Sequence, residues 1–262
     1  MINFLPKRSI GAIVLSIVLL SAGTASPVQS DLPAASPKGA DLSIKMLATL
    51  LRVEGEIAEQ KIQQQHQELT EFLKHLRSKQ AKYRSDRKFL SYFFYKVHRK
   101  FLKQYQSHAT LYELLERGSY DCVTGSALYA LLLDGLGMNY QVHEFPYHVY
   151  LTVITAEHDT LMIESTDPQY GFVTQAAEQK KRFAHYSQPP SNADSGYSYD
   201  FSIQENIGLT ELAGLSYFNE AVYYYNKQEF QQALRWLQLA EHLYESQRIE
   251  AFKRLIASLA RN

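Results

Sequence analysis

One cysteine, one histidine and one carboxylate are spaced so that they could act as a nucleophile, its base and the group that orients the base. Cys122 is the only cysteine of the chain and opens a helix-like run. His148 begins the strand-like run 148–153, and Glu164 lies in the next strand-like run. A thiolate is a strong nucleophile, and an imidazole held by a carboxylate can take the proton of the thiol. The three residues therefore form a candidate catalytic triad.

The position of Cys122 favours a reactive thiol. Unpaired N–H groups and the positive dipole end at a helix start stabilise a thiolate, so this position predicts a lowered thiol pKa. Asp121 is a suitable N-cap, and the small residues Gly125 and Ser126 would let another layer pack closely against the first turn. The alternative is an inert cysteine that packs as a small hydrophobe.

The base and the acid each leave one alternative open. Alternation along 148–153 puts His148, Tyr150 and Thr152 on one strand face, although an isolated histidine could equally be structural. Glu164 lies within a strand-like run, from which it could reach a histidine on the adjacent strand. The alternate acid is Asp167, which precedes a proline and is more typical of the start of a turn.

A zinc site is not predicted. His143, Glu144 and His148 superficially resemble a zinc helix, but the two histidines are five residues apart in strand-like sequence interrupted by Pro146. The helical motif requires histidines four residues apart on one face. The chain also has no Gly-rich phosphate loop and no nucleic-acid motif, so neither a cofactor nor a nucleic-acid partner is expected.

The N-terminal sequence predicts export. Lys7 and Arg8 precede the apolar stretch 10–20, which is shorter than the ~20 residues that comfortably span a bilayer, and small residues follow it. This pattern predicts a cleaved signal peptide over residues 1–25 and a flexible linker at 26–40, and hence a periplasmic or extracellular protein. An uncleaved membrane anchor is the alternative. No cysteine follows the apolar stretch directly, which excludes a lipoprotein anchor.

Hydrophobic periodicity divides the rest of the 262 residues into three regions. Residues 41–110 are predicted to be helical, and 111–205 to form a mixed α+β core with a hairpin turn at 158–159. Residues 206–262 have the spacing of a tetratricopeptide-like helix–turn–helix unit, with an ordinary helical hairpin as the alternative. The residues that carry this spacing are Tyr217, Ala221, Tyr224, Phe230, Ala233, Leu234, Leu237 and Ala240.

Charge is unevenly distributed along the chain. The formal net charge is zero, so overall charge predicts no polyanion partner. Residues 74–103 contain eleven Lys and Arg against one acid, Asp86. Residues 118–179 contain no Lys or Arg and eight Asp and Glu. The basic segment is either a solvated helix face or a surface for anionic lipid or polymer.

Three motifs in order resemble the transglutaminase-like superfamily of papain-like folds. The cysteine motif resembles residues 120–137, the histidine strand resembles 148–153, and the family's Asp-Pro-Thr segment is matched by 164–166. The resemblance covers about 111–172. Glu164 stands where the family usually has Asp, and the familiar tryptophans near the histidine and the acid are absent, since Trp236 is the only tryptophan.

The resemblance implies a fold and an activity. The expected fold is α+β, with a cysteine-bearing helix packed on a small antiparallel sheet and helical regions on either side. The expected activity is cysteine-dependent acyl transfer to water or to an amine on a peptide or protein substrate. The rival hypothesis is a non-catalytic interaction protein, in which the core is a degenerate scaffold and the C-terminal helices bind a protein partner.

Overall fold

The computed structural model describes residues 41–51, 56–188 and 205–259. The predicted signal peptide and linker therefore lie outside the described residues. The N-terminal region consists of helices α1 (Ile44–Leu51), α2 (Glu56–Gln80) and α3 (Asp86–Phe101). Phe89, Phe93 and Val97 of α3 are fully buried, as their helical spacing predicts.

A short two-stranded element leads from these helices to the cysteine. Strand β1 (Gln104–Tyr105) pairs in parallel with β2 (Ser119–Tyr120), and α4 (Leu111–Arg117) connects them. The predicted helical region 41–110 therefore also contains two strand residues. The next element is α5 (Cys122–Gly135), which begins at the cysteine as predicted.

A five-stranded antiparallel sheet follows α5, and its strand order is β6-β5-β4-β3-β7. Strands β4 and β5 form the predicted hairpin, whose tip His158 has a positive φ of 66°. The strand β7 pairs with β3, so the sheet extends two residues beyond the boundary predicted at 205. The elements of this region are β3 (Asn139–Glu144), β4 (Val149–Ile154), β5 (Thr160–Ile163), β6 (Phe172–Val173), α6 (Ala176–Tyr186) and β7 (Glu205–Ile207).

The helix α5 lies at the centre of the fold and is apolar on all sides. It packs on β3 and β4 and against α7 (Leu209–Asn226). Its Tyr129 is fully buried between Phe93 and Phe94 of α3, and its hydroxyl donates to the Phe94 carbonyl at 2.8 Å. A helix surrounded in this way holds its N-terminal residue at a fixed place, which is what a cysteine-centred site requires.

The C-terminal region is a helical hairpin followed by one further helix. The helix α7 packs along α8 (Phe230–Leu243), and α9 (Gln247–Leu259) packs on α8. Ala221, Ala233 and Ala240 are fully buried, as predicted for small residues between close helices. One continuous hydrophobic cluster includes residues of the N-terminal helices, the core and these helices. The chain thus has the predicted α+β architecture, with α5 packed on an antiparallel sheet between two helical regions.

Candidate active site

The start of α5 is fixed by a reciprocal cap. Asp121 Oδ1 accepts a 2.8 Å hydrogen bond from the Thr124 backbone N–H, and Thr124 Oγ1 accepts one of 2.9 Å from the Asp121 N–H. The prediction that Asp121 caps this helix is therefore confirmed. Cys122 is the first residue inside the cap and is partly buried.

Small residues bring this first turn close to the sheet, as the sequence predicts. A Cβ atom added to Gly125 would lie 2.7 Å from Ser165 Oγ, directly beyond Glu164 in the chain. Ser126 Oγ donates to the Val149 carbonyl, at 3.4 Å, at the start of β4. The helix turn that carries Cys122 therefore lies against the ends of the two strands that carry the other predicted residues.

His148 and Glu164 meet across these strand ends. His148 lies just before β4 and Glu164 just after β5, and these strands are antiparallel neighbours. The distance between His148 Nε2 and Glu164 Oε2 is 2.5 Å. The contact predicted between the histidine and Glu164 is therefore present, while the catalytic role of the pair stays a prediction.

Glu164 is buried and accepts hydrogen bonds at both oxygens. Its Oε1 accepts from the Thr166 N–H at 3.1 Å and from Thr166 Oγ1 at 2.7 Å. Its Oε2 accepts from the Tyr186 hydroxyl at 2.9 Å and from His148 Nε2. Burial raises the pKa of the Glu164 carboxyl, but His148 and Thr166 outweigh it, so the pKa lies below its ordinary value. Because an ionised carboxylate only accepts, His148 Nε2 must donate in this contact, and in a neutral imidazole Nδ1 is then the acceptor.

Tyr186, the last residue of α6, covers this pair. Its ring centroid lies 4.2 Å from that of His148, with an angle of 31° between the ring planes. The sequence reasoning missed α6 and Tyr186. No local pattern marks a tyrosine 22 residues beyond Glu164 as a partner of that carboxylate. Thr166, by contrast, belongs to the segment 164–166 on which the family resemblance rests.

The alternate acid, Asp167, lies apart from the histidine contact. Asp167 Oδ1 accepts from the Tyr170 N–H at 2.9 Å, and Asp167 Oδ2 accepts from Arg182 Nη2 at 2.9 Å. Asp167 therefore closes a turn, as its position before a proline predicts, and attaches α6 to that turn. It holds in place the helix that ends in Tyr186.

The surroundings of the Cys122 thiol raise its pKa above the ordinary value. Burial raises its pKa, and the charges of Asp121 and Glu164 raise it further. Hydrogen bonds from the backbone at Val149 and Val123 lower the pKa by less. The prediction of a lowered thiol pKa is therefore wrong for this structure, because burial and two nearby carboxylates outweigh the backbone hydrogen bonds.

Two tyrosines lie close to the start of α5. Burial raises the pKa of the Tyr105 hydroxyl, and the charges of Cys122 and Asp121 raise it further, which places Tyr105 near the thiol. Its side chain is nevertheless 55% exposed. Tyr120 packs edge-on against it, with ring centroids 6.1 Å apart. Tyr105 therefore presents an exposed aromatic ring near the start of α5.

The other histidine weighed in the sequence lies elsewhere. His143 Nε2 is 2.8 Å from Thr152 Oγ1 on the neighbouring strand, and burial lowers the His143 pKa to about 4. His143 and His148 thus have different partners. Within residues 41–51, 56–188 and 205–259, no group of three or more His, Cys, Asp or Glu side chains is placed to hold a metal ion.

Comparison with known proteins identifies no family for this chain. No protein-family model, no curated protein and no solved structure matches this chain. In the part of the chain that the structure describes, no helix has the length and apolar character needed to cross a membrane.

Proposed function

We propose that this chain is an exported cysteine-dependent acyl-transfer enzyme with a transglutaminase-like core. The observation that carries the proposal is the 2.5 Å contact between His148 Nε2 and Glu164 Oε2 beside the helix that Cys122 begins. The thiol interacts with the backbone of Val149, which is the residue after His148. A nucleophile, a base and an orienting carboxylate on three adjoining elements are the parts that acyl transfer needs.

In the first step the Cys122 sulfur attacks a carboxamide, ester or peptide carbonyl. Because the thiol is neutral before substrate binds, His148 Nδ1 takes its proton during the attack rather than beforehand. Glu164 holds the imidazole in the tautomer that accepts at Nδ1 and stabilises the imidazolium that forms. The backbone N–H of Cys122 stabilises the oxyanion, since it lies at the helix start.

In the second step the tetrahedral intermediate collapses. The carbon–nitrogen or carbon–oxygen bond breaks, His148 returns its proton to the leaving group, and the acyl group remains on sulfur as a thioester. Water then attacks the thioester and regenerates the thiol, giving a peptidase or amidase. An amine in place of water gives a transamidase. The family resemblance favours water, because bacterial members of the superfamily are often hydrolases.

The competing candidate is a non-catalytic interaction protein that uses the same scaffold. Two observations favour it: the raised pKa of the Cys122 thiol, and Glu164 in the place of the usual Asp. In this case the C-terminal helices would bind a protein partner, and His148 and Glu164 would only stabilise the ends of β4 and β5.

Acylation by p-nitrophenyl acetate separates the two candidates. This ester donates an acetyl group to a reactive thiol, releases a coloured phenol and requires no knowledge of the natural substrate. The enzyme should release p-nitrophenol in a burst and gain one acetyl group at Cys122, detected by peptide mass spectrometry. Replacing Cys122 by Ala should abolish the burst, and His148→Ala should slow it by about 100-fold, within the range typical of general-base catalysis.

The matched control is His143→Ala. His143 lies in β3 and contacts Thr152 rather than Glu164, so its replacement should leave the acylation rate unchanged. A folded wild-type protein that acylates no faster than its His148→Ala variant would contradict the proposal and favour the non-catalytic candidate.

Export and surface partners belong to the same proposal. The apolar stretch 10–20 supports a cleaved signal, so the mature chain from an exporting host should begin near Ser26, and intact-mass spectrometry tests this. An intact Met1 in the membrane fraction would instead support the anchor. The basic segment 74–103 is the proposed surface for an anionic partner, which sedimentation with acidic lipid vesicles tests at low and high salt.

A further inference from the structure

The turn that presents His148 is held from the C-terminal helices. The Phe145 N–H donates to the His148 carbonyl at 2.9 Å, which closes a four-residue turn between β3 and β4. Arg248 Nη2, from α9, donates to the carbonyls of Phe145 and Pro146 at 3.0 and 3.1 Å. One guanidinium nitrogen thus binds two consecutive carbonyls of the turn whose last residue is His148.

Arg248 is itself fixed on two further sides. Its Nη2 lies 3.3 Å from Glu144 Oε1, at the end of β3, and the side chains of both residues are buried. Its guanidinium carbon lies 5.5 Å from the centre of the Phe218 ring of α7. The guanidinium that binds the turn is therefore also in contact with β3 and α7.

Glu144 connects this contact to a second helix. Its Oε2 accepts a 2.7 Å hydrogen bond from the Tyr244 hydroxyl, which directly follows α8. The same hydroxyl lies 2.8 Å from Glu205 Oε2 on β7. These four side chains therefore join the end of α8 and the start of α9 to the edge strand β7 and to β3, the strand that leads into the His148 turn.

A buried ion pair of this kind is an inefficient way to stabilise a fold. The cost of removing both charges from water often exceeds their attraction, and apolar residues of similar volume stabilise as well or better. What the guanidinium does provide is a fixed orientation for the carbonyls that it binds, because its planar group has a fixed donor geometry. In a catalytic site, a displacement of about 1 Å can cost about 100-fold in rate.

We propose that Arg248 is a positioning residue for His148, which sets the place of the imidazole relative to Cys122 by holding the Phe145 and Pro146 carbonyls. The inference rests on the proposed function, and it extends the site to the C-terminal helices. Those helices are then part of the machinery that orients the base, and not only a surface for a partner.

The test compares Arg248→Met with Arg254→Met in the full chain. Both remove one guanidinium from α9, but Arg254 is exposed and pairs only with Glu250 of its own helix, at 3.5 Å, among the ion pairs of the described residues. Two quantities are measured: the rate of Cys122 acetylation by p-nitrophenyl acetate, and the low-field proton resonance of His148 Nε2–H in ¹⁵N-histidine-labelled protein. Arg248→Met should slow acetylation at least about tenfold and shift or abolish the resonance. Arg254→Met should change neither.

A double variant separates positioning from simple stability. Glu144→Gln with Arg248→Met removes both buried charges, so its melting temperature should recover toward that of the wild type. The Phe145 and Pro146 carbonyls still lack their donor, so acetylation should remain slow and the resonance displaced. Arg248→Lys, which retains a cationic donor, should restore part of the rate.

Each failure has its own signature. A folded double variant with wild-type acetylation and an unchanged resonance would overturn the proposal. If the wild-type protein shows no His148-dependent acetylation, the proposed function fails, and the resonance alone then decides the positioning role. An unchanged resonance in Arg248→Met would overturn that role, and a displaced one would support it.

Discussion

Tyr186 donates a 2.9 Å hydrogen bond to the same Glu164 oxygen that binds His148. Tyr186→Phe keeps the ring over the imidazole but removes this bond. Hydrogen bonds to charged groups contribute about 1.5–3 kcal/mol, so the variant should lose stability in that range, measured by urea unfolding. The Glu164 pKa should rise, and the acidic limb of the acetylation profile should move to higher pH. Tyr170→Phe, at an exposed tyrosine, is the control. An unchanged acidic limb of the acetylation profile in Tyr186→Phe would contradict the prediction.

The stability of the protein should depend on the charge of Glu164. Its pKa is lowered in the folded state, since the bonds from His148 and Thr166 outweigh burial. A lowered pKa contributes stability that is present above the unfolded pKa and is lost as the pH falls through the folded pKa. Wild type and Glu164→Gln should therefore differ most near neutral pH and converge in acid. Glu68→Gln, at an exposed site on α2, is the control.

The Cys122 thiol should titrate above the ordinary range in the unbound protein. Burial and the charges of Asp121 and Glu164 raise its pKa, so alkylation by iodoacetamide should be slower than for a free thiol and should accelerate as the pH rises. Asp121→Asn removes one charge but keeps an oxygen that can cap Thr124, so it should lower the thiol pKa. Asp134→Asn, at the other end of α5, is the control. Equal alkylation profiles for the wild type and Asp121→Asn would contradict this assignment of causes.

Replacing Gly125 by alanine should destabilise the site although alanine favours helices. Alanine normally stabilises a helix interior by about 0.5–1 kcal/mol relative to glycine. Here the new Cβ would lie 2.7 Å from Ser165 Oγ and 2.8 Å from Ser165 Cβ, so overpacking should cost about 1–3 kcal/mol. Ser165→Gly removes both atoms, and the double variant should recover most of the loss. A Gly125→Ala protein with raised stability would show that the helix and the strand end can separate.

Local sequence patterns predicted the parts of the site that depend on neighbours in the chain. The cap at Asp121, the small residues after Cys122 and the hairpin that brings His148 and Glu164 together all follow from spacings of a few residues. Tyr186 and Arg248 could not be found in this way. Arg248 reaches Phe145 across 103 residues, and such contacts are set by how α9 packs rather than by any local period. The prediction of a lowered Cys122 thiol pKa was wrong for a related reason, because that pKa depends on burial and on the distant residue Glu164.

Ala233→Leu should disturb both the C-terminal hairpin and the site. Ala233 is fully buried in α8, which packs against α7, so a larger side chain should overpack the contact and cost about 1–3 kcal/mol. Thermal unfolding measures this, and Gln232→Leu, at the exposed neighbouring position, should cost little. Tyr244 and Arg248 follow α8; Tyr244 binds Glu144 at the end of β3, and Arg248 binds the His148 turn itself. Acetylation of Cys122 should therefore also slow in the folded variant. If stability falls while acetylation is unchanged, the hairpin is only a partner platform and does not support the site.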